Sequence, residues 1–280
     1  MTIHLAHHCY LPDGVAGDLL ATCAVVLDSS APGSTIVGFT AAQLHGLWLP
    51  ARVEPIHVAT AVPELAGRAM TRTRRPQFRA HRRQLEEDDR ATLGGVATVT
   101  LARTWRDLAA VLSLPDLVAA GDCALRQGAS IDELASVLAR TRGQRGARNG
   151  RAALPMLDAR SRSRPESHLR VAISGADMPP FEVNVPVYRR DGGWLAEPDL
   201  SLAEALLALE YQGADHAGVK RMRKDITRLT DMRRDTWLTL PYGPAEVLGQ
   251  PYLIKPEVRE LIRIRAPHLL PRARPRRVVI

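Results

Sequence analysis

The chain has 280 residues, 45% hydrophobic and 24% charged, which excludes a disordered tail and suffices for one large domain or two ordinary ones. Its formal net charge is +8, carried by 35 arginines and only 3 lysines. Arginine suits bidentate phosphate binding, but a GC-rich genome produces the same excess, so charge alone assigns no nucleic-acid partner.

The longest candidate for membrane insertion falls early in the chain and is too short for a spanning helix. The apolar run Leu19 to Leu27 is about half the ~20 residues that a spanning helix needs, and Asp18 precedes it where a signal peptide carries lysine or arginine. Cys9, Cys23 and Cys123 are odd in number and lack CxxC spacing, so a reduced, cytoplasmic protein is expected. Phe39 to Leu47 has helical spacing, Val53 to Val62 reads as a strand, and Val96 to Leu101 is a second β-branched run. Thr104 is placed to cap a helix through Leu112, and Ser130-Ile-Asp-Glu133 is a capping box opening a helix to Arg140. The stretch Arg140 to Arg151, with its spaced arginines and glycines, reads as an exposed connector. It suggests an α+β domain over 1–150, the smaller of two, followed by a domain over 151–280. The first carries 16 basic and 14 acidic residues; the second carries 22 and 16 and holds most of the net charge.

The second half opens on another capping box, Ser163-Arg-Pro-Glu166, whose helix stops at Gly175. Phe181 to Tyr188, broken by Pro186, fits an edge strand, and Asp191-Gly-Gly193 is a hairpin turn. Local rules then conflict: Leu202 to Glu210 has helical composition, while the flanking turns favour two short strands. From Lys220 to Trp237 the apolar positions Val219, Met222, Ile226, Leu229 and Met232 recur at helical spacing. The other face carries Arg221, Arg223, Lys224, Arg228, Arg233 and Arg234, and so reads as a basic amphipathic helix. The tail Pro271 to Arg277 adds further arginines.

Glu166, Asp199, Glu210 and Asp225 lie on four successive elements. If Trp194–Leu200 and Leu206–Tyr211 pair as antiparallel strands, Asp199 and Glu210 face one another at about 5 Å between Cβ atoms. In a helix they would stand about 16 Å apart and could not share an ion. Two converging carboxylates with waters suit Mg²⁺, which assists phosphodiester hydrolysis. Each acid also has a plainer account: Glu166 as a helix cap, Asp199 as a turn residue, and Asp225 as an ion pair with Arg221 and Arg228. Glu210 ends the apolar run Ala205 to Leu209, where burying it without a cation or donors would be costly.

Pro198-Asp199, Glu210-Tyr-Gln-Gly-Ala-Asp-His216, Asp225 and Arg228, in that order, resemble the very-short-patch-repair-like endonuclease domain of unknown function. That domain is a member of the PD-(D/E)xK nuclease superfamily. Glu166 in Arg164-Pro-Glu-Ser-His-Leu-Arg170 is similar to the acid of the family's opening helix, and the likeness spans about residues 160 to 270. Phe39-Thr-Ala-Ala-Gln-Leu-His-Gly46 and Arg103-Thr-Trp-Arg-Asp-Leu108 resemble landmarks of the segment that accompanies this domain in actinobacterial AbiEi-like antitoxins. The resemblance implies a restriction-endonuclease-like α/β fold in the second half, a mixed central sheet flanked by helices. It implies Mg²⁺ or Mn²⁺ on Asp199 and Glu210, with Glu166 completing the acidic cluster and His216 acting on a phosphate oxygen. Gln212 falls where the family has an acid, and an amide is neither a charged ligand nor a general base. DNA is the implied partner, held by Arg221, Lys224, Arg228, Arg233 and Arg234, and a homodimer is compatible with it. The family's winged helix is missing or cut short here, which leaves open whether Met1 is the true start. The alternative is a non-catalytic antitoxin-like regulator that keeps the nuclease fold for contact with DNA or a protein partner.

Overall fold

The computed structural model describes residues 3–6, 9–11, 18–51, 55–60, 78–83, 85–213 and 228–271. The chain divides into two compact units, Met1–Leu157 and Asp158–Ile280, so the N-terminal unit is the larger, contrary to expectation. Both mix helices with mixed sheets. Among the described residues no helix is long and apolar enough to cross a membrane.

The N-terminal unit begins with a strand pair, β1 (Ile3–Ala6) and β2 (Cys9–Leu11). The apolar run forms α1 (Leu19–Asp28), and the Asp18 carboxylate caps it by accepting from the amides of Leu20 and Ala21. A five-stranded mixed sheet follows, built from β3 (Thr35–Ile36), β4 (Ile56–Thr60), β5 (Phe78–Arg82), β6 (Arg90–Leu93) and β7 (Val96–Val99). Its order is β5-β4-β3-β7-β6. The described residues of the unit also form helices α2 (Gly38–Leu44), α3 (Leu101–Leu108), α4 (Leu114–Arg126), α5 (Ile131–Arg140) and α6 (Ala147–Ala153). Ser130 and Glu133 form the expected capping box of α5. The cap of α3, in contrast, is Thr100, which accepts from the Arg103 amide; Thr104 is buried inside the helix.

The Arg103–Leu108 stretch is core. Trp105 is fully buried and donates its indole N–H to the Leu117 carbonyl, while Arg103 pairs with Asp89 and Asp107. Arg106, 2% exposed, is held by Thr141 and the Arg145 carbonyl. These charges are tolerated inside because each meets a partner.

The expected connector at 140–151 is a correction. Arg140 pairs with Asp89, and α6 buries Ala147, Gly150 and Ala153 within the unit. Two of its three glycines serve close packing, not flexibility: a Cβ on Gly150 would stand 2.8 Å from a Leu138 methyl, and one on Gly146 would strike the backbone of Ala109 and Ala110. Gly146 also has φ +85. Gly146→Ala is therefore expected to cost about 1–2 kcal/mol in urea unfolding of this unit from its left-handed backbone alone, and more once the collision is counted. The same change at Gly143, where a Cβ meets nothing within 4 Å, should stay within about 0.5 kcal/mol.

The C-terminal unit runs helix, strand, strand, strand, helix, strand around one four-stranded sheet. These are α7 (Arg164–Ile173), β8 (Glu182–Val183), β11 (Leu200–Leu202), β12 (Leu207–Tyr211), a helix at residues 228–234 (α8) and β13 (Leu238–Tyr242). The sheet order is β13-β12-β11-β8, antiparallel except for the parallel pair β12 and β13. A closing helix, α9 (Ile254–Arg265), packs Val258 and Ile262 into the same core as Leu169, Leu200, Leu207 and Leu209. Phe181–Tyr188 is not one edge strand: its second part is β9 (Val187–Tyr188), which pairs with β10 (Trp194–Ala196) across the expected Asp191–Gly193 turn.

The Leu202–Glu210 conflict resolves as strands. A single 3₁₀ turn, Ala203–Ala205, and Leu206 at φ +51 reverse the chain between β11 and β12. Both faces of β12 are covered, Leu207 and Leu209 by one core and Ala208 by a second containing Leu195, Met232 and Trp237. A continuous apolar run is what such a doubly covered strand requires.

Candidate functional site

Strand register assembles the acids. Leu200 pairs with Leu209 and Ser201 with Ala208, so the same register carried outward by one sets Asp199 opposite Glu210. With side chains alternating along a strand, Asp199, Ser201, Ala208 and Glu210 share one face, away from the leucine core. The pairing segment on the first strand is Leu200–Leu202 and not the expected Trp194–Leu200, because Trp194–Ala196 turns away to pair with Tyr188 and Val187.

Each carboxylate has defined donors. One oxygen of Asp199 accepts the Tyr211 amide at 2.7 Å. Glu166 accepts from the Ser163 hydroxyl at 2.9 Å, the Arg162 amide at 2.8 Å and the Asn184 side-chain amide at 2.9 Å. The cap of α7 thus fixes this acid beside Asn184, whose backbone also meets Asp199. Glu210, 7% exposed, is held bidentately by Arg228, with one of the two contacts at 2.8 Å. That pair crosses from β12 to α8, on the face of the sheet that α8 covers.

The cluster concentrates negative charge. Burial, together with the charges of Glu166 and Glu210, pushes the Asp199 carboxyl up to about 7, against the Tyr211 hydrogen bond and the Arg228 charge. Strongly perturbed acids of this kind gather at functional sites.

Other expected residues are placed differently. The Gln212 side chain is exposed, and its backbone N–H continues the sheet by donating to the Tyr242 carbonyl at 2.8 Å. Arg233 and Arg234 lie exposed on α8, Arg234 at 3.4 Å from Asp231. Arg228, expected among the phosphate-facing arginines, is turned onto Glu210. Leu229, expected inward, is exposed. His216, Arg221, Lys224 and Asp225 lie outside the described residues. Among those described, no group of three or more His, Cys, Asp or Glu is arranged to hold a metal ion.

Asn184 was not foreseen. It sits between β8 and β9 at φ +47, buried; its backbone N–H donates to the Asp199 carbonyl at 3.0 Å while its side chain bridges Glu166 and the Arg160 carbonyl. The sequence signal was weak: an asparagine next to a broken strand, the residue type that best tolerates a left-handed backbone after glycine.

The fold and site define a mixed α/β protein whose C-terminal unit gathers three acids and an arginine at the end of a four-stranded sheet. No protein-family model, curated protein or solved structure matches the chain.

Proposed function

We propose that the C-terminal unit is a restriction-endonuclease-like domain, and that the chain is a Mg²⁺-dependent endonuclease acting on DNA. The observation that carries this reading is the convergence of Asp199, Glu210 and Glu166, close enough that the charges of the other two raise the Asp199 pKa. The order of the elements of the four-stranded sheet and its two helices, helix–strand–strand–strand–helix–strand with the β9–β10 hairpin inserted after the first strand, supports the same fold.

The donor chemistry fits the ion in kind, since carboxylate oxygens are the hard ligands that magnesium prefers. Asp199 and Glu210 would hold it once Arg228 leaves Glu210, whose charge this arginine now balances. A bound Mg²⁺ or Mn²⁺ would supply stabilisation of the charge that develops at the attacked phosphodiester. Glu166, fixed by its helix cap and by Asn184, keeps the site anionic and orients its neighbours. Arg233 and Arg234 present donors for phosphate oxygens, joined in this proposal by Arg221 and Lys224. Gln212 hydrogen-bonds without charge, and His216 would serve a phosphate oxygen.

A plasmid-nicking assay with Mg²⁺ or Mn²⁺ tests the reading. Wild type should nick, and Glu210→Gln should lose at least about a hundredfold, as removal of a several-kcal/mol contribution to the barrier requires. Equal activity in both would overturn it. A second reading, a non-catalytic antitoxin-like module on the same fold, is favoured by the Arg228–Glu210 pair and by Gln212 in the place of an acid. It predicts no nicking by wild type, with DNA binding that weakens steeply as salt rises.

A further inference from the structure

The β9–β10 hairpin carries a feature that the acidic site does not use. Its inner face is core: Val187, Leu195 and Ala196 pack with Met232 and Trp237. On its outer face Trp194 and Tyr188 stand directly opposite one another in the ladder, each 58% exposed. Two large aromatic rings side by side in water leave much apolar surface uncovered, more than strand pairing explains.

Arginines border the pair. Arg189 and Arg190 follow Tyr188 directly, and they latch the hairpin to α8 and the turn after it, Arg189 on Asp231 at 3.2 Å and Arg190 on the Thr236 hydroxyl at 3.5 Å. Arg233 and Arg234 are exposed on that same helix. The acids among them are committed locally in part: Asp191 accepts the Gly193 amide within the turn, and Asp231 serves Arg189 and Arg234. Asp235 lies at the end of α8. A groove whose lining includes Tyr188, Arg189, Arg190, Trp237 and two acids, Glu182 and Asp235, runs beside the platform.

We propose that Trp194 and Tyr188 form a stacking platform for unpaired bases, with Arg189, Arg190, Arg233 and Arg234 contacting the adjoining phosphates, so that this surface binds single-stranded DNA. Every base has a π face, and stacking on an aromatic side chain contributes about 1–3 kcal/mol per base without sequence preference. Flanking arginines add the salt-dependent phosphate contribution that non-specific binding needs. The proposal requires nucleic acid as the partner class but no metal and no cleavage.

The test is binding of oligo(dT) to the full chain in EDTA, read by labelled-oligonucleotide anisotropy and by tryptophan fluorescence. Trp105 and Trp237 are buried and Trp48 is half-buried, so quenching that Trp194→Phe loses while it still binds should report stacking on the exposed Trp194. Trp194→Ala and Tyr188→Ala should each weaken oligo(dT) binding by about fivefold to a hundredfold. Trp194→Phe should bind nearly as wild type, and duplex binding should change little in all three. Wild type left unquenched by saturating oligo(dT), or Trp194→Ala binding as tightly as wild type, would overturn the proposal. So would a dimer that Trp194→Ala dissociates in sedimentation, which would make this face a contact between copies. Retained oligo(dT) binding without nicking would strike the catalytic reading alone.

Discussion

Asp199→Asn should stabilise the C-terminal unit at about pH 8 by roughly 2–4 kcal/mol while abolishing the proposed cleavage. The Asp199 carboxyl titrates near 7 when folded and near 3.8 as a model group. Between those values the folded state retains a proton that the unfolded chain has released, so stability falls as pH rises through the window. The full penalty stands above the folded pKa and vanishes below the unfolded one. At 1.36 kcal/mol per unit the upper bound is about 4 kcal/mol, reduced because the group is only partly shielded from water. Asparagine keeps an oxygen for the Tyr211 amide and carries no charge, so it removes the penalty without removing the hydrogen bond. Urea unfolding of wild type and variant at about pH 8 and about pH 4 checks this: a large gain at the higher pH should shrink towards zero at the lower. No gain at about pH 8 would show that burial and the neighbouring acids do not raise the Asp199 carboxyl. Loss of stability retained for function is the usual mark of an active site.

Arg228→Ala should have the opposite effect, destabilising the unit by about 3 kcal/mol near neutral pH. Removing one partner of a buried ion pair leaves the other charge uncompensated, which costs more than the pair itself contributes. Glu210 is almost wholly buried, whereas the Arg228 side chain is 26% exposed, which puts the expected loss at the low end of the range for fully buried pairs. Arg228→Lys should recover only part of it, because an ammonium cannot reproduce the two-pronged contact. Adding Glu210→Gln to Arg228→Ala should restore most of the stability. If Mg²⁺ takes the place of Arg228, then millimolar Mg²⁺ should raise the melting temperature of Arg228→Ala more than that of wild type. Equal shifts in calorimetry would separate Arg228 from any metal site.

Several landmarks were legible because they are local. Ser130 and Ser163 cap helices as their positions suggest, and the Asp191–Gly193 turn closes a hairpin. Interactions within three or four residues depend on composition and spacing, which a single chain displays. Where two local rules competed, the reading failed or stalled. Thr104 looked like the cap because Thr100 fell within the run Val96 to Leu101 read as a strand, and the glycines of 140–151 looked like flexibility because nothing in the sequence shows the Ala109 backbone against which Gly146 packs. Leu202–Glu210 could be helix or strand until its two faces were known to be covered.

The acidic site divides in the same way. Sequence determined that Glu210, at the end of an apolar run, would need a compensating charge if buried, because desolvating a lone carboxylate is too costly. It also determined that Asp199 and Glu210 could face each other only as strand partners. Only the tertiary structure decided that the compensating charge is Arg228, eighteen residues on and expected to face phosphate. Only it brought Asn184 in to tie Glu166 to Asp199. Those choices rest on strand register and on the face of the sheet that α8 covers, and both are set by long-range packing that no local pattern encodes.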